Sequence, residues 1–116
     1  MPIPVPDELR ANAYFARNGE AAWARDDALR VIRWAAEIRL PVLGVEIWIP
    51  TTPGPTIPTP FFYTFGSKPI QGESKAQFEN RANREAADYV QSFEWDPQDT
   101  THHGIEPFFN ITFGTD

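Results

Sequence analysis

The sequence predicts a single α+β domain, a two-layer sandwich with two main helices packed on one face of a small, mainly antiparallel three-stranded sheet. Two segments have the apolar spacing of amphipathic helices, and three have the alternation of strands. Because they run helix, strand, strand, helix, strand, packing the helices on one face buries the apolar side of every element. At 116 residues and 41% hydrophobic content, the chain supports one core, so we expect residues 1–116 to form one domain.

The first 17 residues predict an extended lead followed by a short helix. Prolines at alternate positions favour an extended start. Leu9, Ala13 and Ala16 then follow at helical spacing, and Asn18-Gly19 is typical of a helix end.

The first main helix is predicted within residues 25–41. Asp26 and Asp27 suit its first turn, where acidic side chains meet the positive end of the helix dipole. Pro41 disfavours helical backbone at Leu40 and therefore ends the helix. Its predicted core stripe consists of Leu29, Val31, Ile32, Ala35, Ala36 and Ile38.

Residues 42–50 predict a strand, because the hydrophobic period changes there from 3.6 to 2. Val45, Ile47 and Ile49 share one side, which we expect to meet the helices. Glu46 and Trp48 then lie on the opposite face.

Residues 51–60, with four prolines in ten positions, are interpreted as a stiff Pro/Thr-rich loop between two strands. We hypothesise that it presents the sheet edge and its aromatic residues to a partner. Replacing it with a short Asn-Gly turn is then expected to leave the fold intact and to weaken partner binding. A loose linker and a recognition tail are the alternatives, and "PTIP" matches the minimal proline-rich ligand pattern, without a flanking basic residue.

Residues 61–65 and 108–113 predict the other two strands. In the first, Phe61, Tyr63 and Phe65 share one side, and Phe62 and Thr64 share the other. In the second, Phe109, Ile111 and Phe113 alternate with Phe108, Asn110 and Thr112.

The second main helix is predicted over residues 74–93. Ser74 and Gln77 form an S-x-x-Q capping box at its start. Apolar residues follow at helical intervals, at Phe78, Ala82, Ala86, Tyr89, Val90 and Phe93.

Charge and composition exclude several classes of function. The net charge of -6 opposes binding to nucleic acid and to anionic membrane surfaces. A basic protein is the better candidate partner, and the alternative, which charge alone favours, is that the acidity only aids solubility. No stretch approaches the roughly 18 apolar residues of a membrane helix. The chain has no cysteine, and its N-terminus lacks the basic and then apolar pattern of a secretion signal, so we expect a cytoplasmic protein.

No residue pattern predicts a catalytic, metal or cofactor site. His102 and His103 are adjacent in a polar loop, where their side chains point apart, and we expect both to be solvated. The serines lack a G-x-S-x-G elbow and no glycine-rich phosphate loop is present. A small-molecule enzyme that uses Glu46 and a loop histidine is the weakest alternative.

The aromatic content exceeds what the core requires: nine Phe, four Trp and three Tyr residues make up 14% of the chain. Large aromatics concentrate in the centres of protein interfaces. On the sheet face away from the helices we predict a partner-binding set, with Thr112 beside it, made of Glu46, Trp48, Phe62, Thr64, Phe108 and Asn110. Alternatively, the N-terminal segment covers this face.

Three stretches together resemble the bacterial immunity protein 40 family of polymorphic toxin systems: "NGEAAWARDDALRVIRWAAEIRLPVLGVEIWIP", "ESKAQFENRANREAADYVQSF" and "EPFFNITF". The shared pattern is N-x-E-x-x-W-x-R-x-D-A-L from Asn18 to Leu29, then V-L-G at 42–44, then Phe78 and Arg81, and Tyr89-Val90. It covers residues 18–113. The chain departs from the family at Gly44-Val45-Glu46, where two glycines and an aspartate are usual, and at the Pro/Thr-rich loop.

The resemblance implies a small inhibitor that binds a cognate bacterial toxin, delivered by secretion or contact, and protects the producing cell and its kin. It does not imply catalysis, and we expect no cofactor because no residue pattern predicts one. The alternative is a non-catalytic structural or adaptor domain, a homodimer whose aromatic face meets its own copy across a two-fold axis.

Overall fold

The computed structural model describes residues 5–17, 20–50, 55–58 and 63–114. Their helices are α1 (Asp7–Arg10), α2 (Arg25–Glu37) and α3 (Lys75–Ser92). Their strands are β1 (Phe15–Arg17), β2 (Glu20–Trp23), β3 (Val42–Trp48), β4 (Thr64–Gly66) and β5 (Phe108–Phe113). Within these residues, no helix combines the length and apolarity needed to cross a membrane.

The strands form one antiparallel sheet in the order β1-β2-β5-β3-β4, which confirms the α+β class. The sequence predicted three strands, whereas the described residues form five, because the β1–β2 hairpin was not predicted. Both strands are short, and three of their seven residues are alanine, which has low strand propensity. Asn18-Gly19, outside the described residues, separates Arg17 from its partner Glu20, and Asn-Gly is as typical of a two-residue hairpin loop as of a helix end.

The predicted N-terminal helix is present but shorter than expected. α1 comprises four residues around the buried Leu9 and does not reach Ala13. Ala16 belongs to β1 instead, paired with Ala21, because hydrogen bonding in the sheet overrides a weak helical spacing.

Both main helices are confirmed. α2 buries Ala28, Val31, Ile32 and Ala35, whereas the predicted stripe residues Ala36 and Ile38 are exposed. α2 ends at Glu37, and Arg39 closes it with a positive φ of 59°. The Leu40 N–H donates to the Ala35 carbonyl and the Arg39 N–H to the Ala36 carbonyl, the two bonds of a Schellman motif.

α3 begins at the predicted capping box. The Gln77 N–H donates to the Ser74 side chain at 3.1 Å, and the Ser74 N–H donates to the Gln77 side chain at 2.8 Å. Both bonds satisfy backbone donors that a helix start leaves unpaired.

One core lies between the helices and the sheet. Its strand residues include Val45 and Ile47 of β3 and Phe109 and Ile111 of β5, packed with residues of α2 and α3. Leu9 of α1 joins the same cluster, and its carbonyl accepts the Trp23 indole N–H at 2.9 Å. All three helices therefore lie on one side of the sheet.

Candidate functional site

The opposite side of the sheet, which we call the helix-free face, carries most of the predicted partner-binding residues. In the register, Glu46 lies between Asn110 of β5 and Thr64 of β4, and Trp48 lies opposite Phe108. Val45, Ile47 and Ile49 are buried, as expected for the side that meets the helices. The predicted phases of β3, β4 and β5 are therefore confirmed for the described residues.

Glu46 and Trp48 form a half-buried pair on this face. The Trp48 indole N–H donates to Oε1 of Glu46 at 2.8 Å, which fixes the carboxylate beside the aromatic ring. Glu46 makes no ion pair with any described residue. The pair therefore combines a held carboxylate with a large aromatic surface.

Two other predicted residues are on this face but offer little surface. Phe108 is buried, and the Tyr14 ring packs on it with a centroid distance of 4.3 Å. Asn110 is also buried, and its Nδ2 donates to the Ala21 carbonyl at 2.9 Å, which ties β5 to β2. Part of the face is thus occupied by contacts with Tyr14 and Ala21, and the Asn110 amide is used within the fold.

The accessible part of the face lies over β3, β4 and the end of β5. Thr64 and Thr112 are exposed there, and Phe62 lies outside the described residues. We call the set Glu46, Trp48, Thr64 and Thr112 the binding patch. No lysine or arginine pairs with it in the part of the chain that the structure describes.

The Pro/Thr-rich loop has only residues 55–58 within the described chain. Thr56 pairs with Ile49 through two backbone hydrogen bonds of 2.8 and 3.0 Å, so this part folds back along the end of β3. Pro58 is fully buried. The expectation that an Asn-Gly replacement of 51–60 leaves the fold intact is therefore corrected, because it removes a buried side chain and two hydrogen bonds.

A second cluster, which the sequence did not predict, surrounds the buried side chain of Asp99. Nδ1 of His102 lies within 2.8 Å of both carboxylate oxygens, and the Tyr63 hydroxyl donates to Oδ2 at 2.6 Å. The Trp95 ring packs on His102 at a centroid distance of 5.4 Å. His102 is buried and His103 is exposed, so the expectation that both histidines are solvated was wrong for His102.

Electrostatics in this cluster favour a charged Asp99. Burial by itself raises the pKa of Asp99, but the hydrogen bonds from Tyr63 and His102 outweigh it and hold the pKa below its usual value. The pKa of Tyr63 is raised above its usual value, mainly by burial and secondly by its hydrogen bond to Asp99. The carboxylate fixes Nδ1 of His102 as the donor, an orientation also used by catalytic histidines.

No described side chain bonds to Nε2 of His102, the atom from which a catalytic histidine would act. The described contacts of this cluster instead hold the loop before β5 against the sheet, since the Tyr63 hydroxyl also accepts the Asp96 N–H at 3.2 Å. Within the described chain, no three His, Cys, Asp or Glu residues are grouped so as to hold a metal ion. In the sequence, this contact is indicated only by the D-x-x-H spacing of Asp99 and His102 in a turn-rich segment. That spacing allows the contact but does not require it.

Comparison with known proteins identifies no relative. No family model, no curated protein and no solved structure matches the chain.

Proposed function

We propose that the protein is an immunity protein that binds a cognate bacterial toxin and neutralises it by direct contact. The observation that carries the proposal is the binding patch on a sheet face that none of the described helices covers. A half-buried Trp48 that donates to the Glu46 carboxylate, itself without an ion pair to any described residue, is suited to anchor a protein surface.

The charge of the patch and of the chain favours a basic partner. Glu46 has no cationic partner among the described residues, so a lysine or arginine of another protein can pair with it. The net charge of -6 adds a long-range attraction that speeds association with a basic surface. We therefore propose a basic region of the toxin as the occupant of the patch.

The sequence resemblance supports the same assignment. The immunity protein 40 pattern includes residues of β2 and the first three residues of β3, which are two strands of the sheet that carries the helix-free face. We propose a cytoplasmic, non-catalytic role, in which occlusion of a toxin surface is the whole mechanism.

The test starts from a partner captured from secreted and lysate fractions of the source cells and identified by mass spectrometry. Its C-terminal domain is then expressed alone, to measure affinity by calorimetry and growth arrest in cells with and without this protein. We expect tight binding and rescue of growth. Glu46→Arg and Trp48→Ala should each weaken binding by about 30-fold or more, the size of an interface hot spot.

Glu37→Arg is the matched control, because it makes the same charge change at an exposed position of α2, on the other side of the sheet. If Glu46→Arg and Glu37→Arg weaken toxin binding equally, the loss reflects the net charge of the protein and not a contact in the binding patch. A toxin domain that binds without being neutralised would overturn the immunity role. A stable self-dimer without any partner, seen by sedimentation, would favour the adaptor alternative.

A further inference from the structure

A groove of about 380 Å³ runs between α2 and α3, away from the binding patch. Its floor is apolar, formed by Leu29, Ile32 and Ala36 of α2 and Ala87 of α3. Ile32 is buried at the bottom, whereas Leu29 and Ala87 are half-buried and Ala36 is exposed. The alanines let another backbone approach closely, because their side chains are small.

Two arginines border this groove, Arg33 from α2 and Arg84 from α3. Both are exposed, and neither makes an ion pair or side-chain hydrogen bond with another residue that the structure describes. Three other arginines are engaged: Arg25 binds carbonyls, Arg30 pairs with Asp27, and Arg81 pairs with Glu73 and Glu85. The two guanidinium groups at the groove are therefore available to a ligand.

The charge of the groove is opposite to that of the chain. Its lining contains no aspartate or glutamate, although acidic residues outnumber basic ones by sixteen to ten in the whole sequence. An arginine fork binds carboxylates with two parallel hydrogen bonds, and an apolar floor requires apolar side chains above it. A long polyanion such as nucleic acid satisfies only the first requirement, because its phosphate backbone offers no apolar side chains to the floor.

We propose that the α2–α3 groove binds an acidic amphipathic helix of a partner protein, with its apolar face on the floor and its carboxylates on Arg33 and Arg84. This is the helix-in-groove mode of recognition, with anchors at i, i+3, i+4 and i+7. The site is separate from the binding patch and takes a partner surface of the opposite charge. It therefore stands or falls independently of the proposed function.

The probe is a fluorescein-labelled peptide of about 18 residues, with leucine on one helical face and glutamate on the other. Anisotropy titrations should give a dissociation constant of roughly 10–100 μM at low salt, weakening several-fold in ~0.5 M salt as the ion pairs are screened. The same peptide with glutamine for glutamate should bind at least tenfold more weakly. Methyl NMR signals of Leu29, Ile32 and Ala87 should shift with the acidic peptide.

The double variant Arg33→Glu/Arg84→Glu should abolish peptide binding without changing the circular dichroism spectrum, because both side chains are exposed and pair with no residue in the described part of the chain. Arg30→Glu is the matched control, since Arg30 is an exposed arginine of α2 outside the groove lining. It should retain binding within about threefold, as expected for a remote surface charge. The double variant should bind the toxin through the binding patch as tightly as the wild type does. This result would show that the two sites act separately.

Three results would overturn the proposal: no saturable binding of the acidic peptide, equal binding of the glutamine peptide, or equal loss in Arg30→Glu. A fourth result that would overturn the proposal comes from sedimentation of the protein alone. If the chain self-associates and the double variant is monomeric, the occupant of the groove is a second copy and not an acidic partner helix.

Discussion

Nδ1 of His102 lies 2.8 Å from Oδ1 and 2.7 Å from Oδ2 of Asp99, and both side chains are buried. With the Tyr63 hydroxyl on the same carboxylate, this contact links β4 to the loop that precedes β5. Trp48 and Phe108, at the adjoining strand ends, are paired in the same sheet. We therefore expect the Asp99 cluster to fix the loop that leads into β5, and so to position one strand of the helix-free face.

Asp99→Asn should lower stability at pH 7 and change its dependence on acid. Because the folded pKa of Asp99 is depressed, its stabilisation is present above the unfolded value of about 4 and is lost as the pH falls through the folded pKa. The difference in urea midpoint between wild type and Asp99→Asn should therefore shrink below about pH 4. Asp88→Asn, at an exposed carboxylate without a described partner, is the control. A constant difference at all pH values would contradict the assignment.

Tyr89→Phe should reduce the loss of stability in alkali. Burial raises the pKa of Tyr89 to about 12, since its ring is stacked on Phe65 at a centroid distance of 5.1 Å. A raised folded pKa means that stability is fully present below the unfolded value of about 10 and declines as the pH rises towards the folded value. Urea midpoints at pH 7 should barely change, and the decline above pH ~10 should be smaller in the variant. Tyr14→Phe, which removes a mostly exposed phenol, is the control.

Asn83→Ala should be among the most damaging polar substitutions in α3. The buried Asn83 amide accepts the Val42 N–H at 2.6 Å and donates to the Leu40 carbonyl at 3.1 Å, so it satisfies the backbone on both sides of Pro41. Leaving both groups without this partner should cost about 2–4 kcal/mol of unfolding free energy. Asn80→Ala, one turn earlier and exposed, should change it by less than about 0.5 kcal/mol. If Asn83→Ala lowers the unfolding free energy by less than about 1 kcal/mol, water replaces the amide as the hydrogen-bond partner.

Arg39→Gly should stabilise the protein. Arg39 is the one described non-glycine residue with positive φ, and this conformation costs an ordinary side chain about 1 kcal/mol. Glycine removes the strain but has a more flexible unfolded state, so the net gain should be about 0.5 kcal/mol. Arg39→Ala keeps the Cβ and should give no gain. Equal stabilisation by both substitutions would point to charge and not to backbone geometry.

Periodicity in the sequence was sufficient to predict α2, α3 and the phases of three strands, because each has one face in the core. The β1–β2 hairpin was missed because its two short strands lack β-branched residues. Phe108 and Asn110 are buried with the help of Tyr14, which precedes β1, and Ala21 of β2, so the alternative that the N-terminal segment covers this face applies at Phe108. The burial of His102 depends on its contact with Asp99, and Asp99 in turn is held by Tyr63. Because Tyr63 and Asp99 are 36 residues apart in the sequence, no local pattern predicts their contact.

Arg25→Ala should loosen the junction between the two main helices. Nη1 of Arg25 lies 2.9–3.1 Å from the carbonyl oxygens of Val90, Gln91 and Phe93, at the end of α3, where a cation also meets the negative end of the helix dipole. The guanidinium also lies 5.7 Å from the centroid of the Phe109 ring, which joins helix end and sheet.

Truncation at Arg25 should cost about 1.5–3 kcal/mol, the range for hydrogen bonds to a charged group. Hydrogen exchange should accelerate first in the last turn of α3. Arg25→Lys should recover part of the loss, because an ammonium group keeps the charge but not the planar donor geometry. Arg33→Ala, from the same helix and without a described partner, should stay within about 0.5 kcal/mol of wild type. If the two alanine variants prove equally stable, the carbonyl contacts of Arg25 contribute nothing beyond what water provides, and the end of α3 must be held by the packing of Val90 and Phe93 alone.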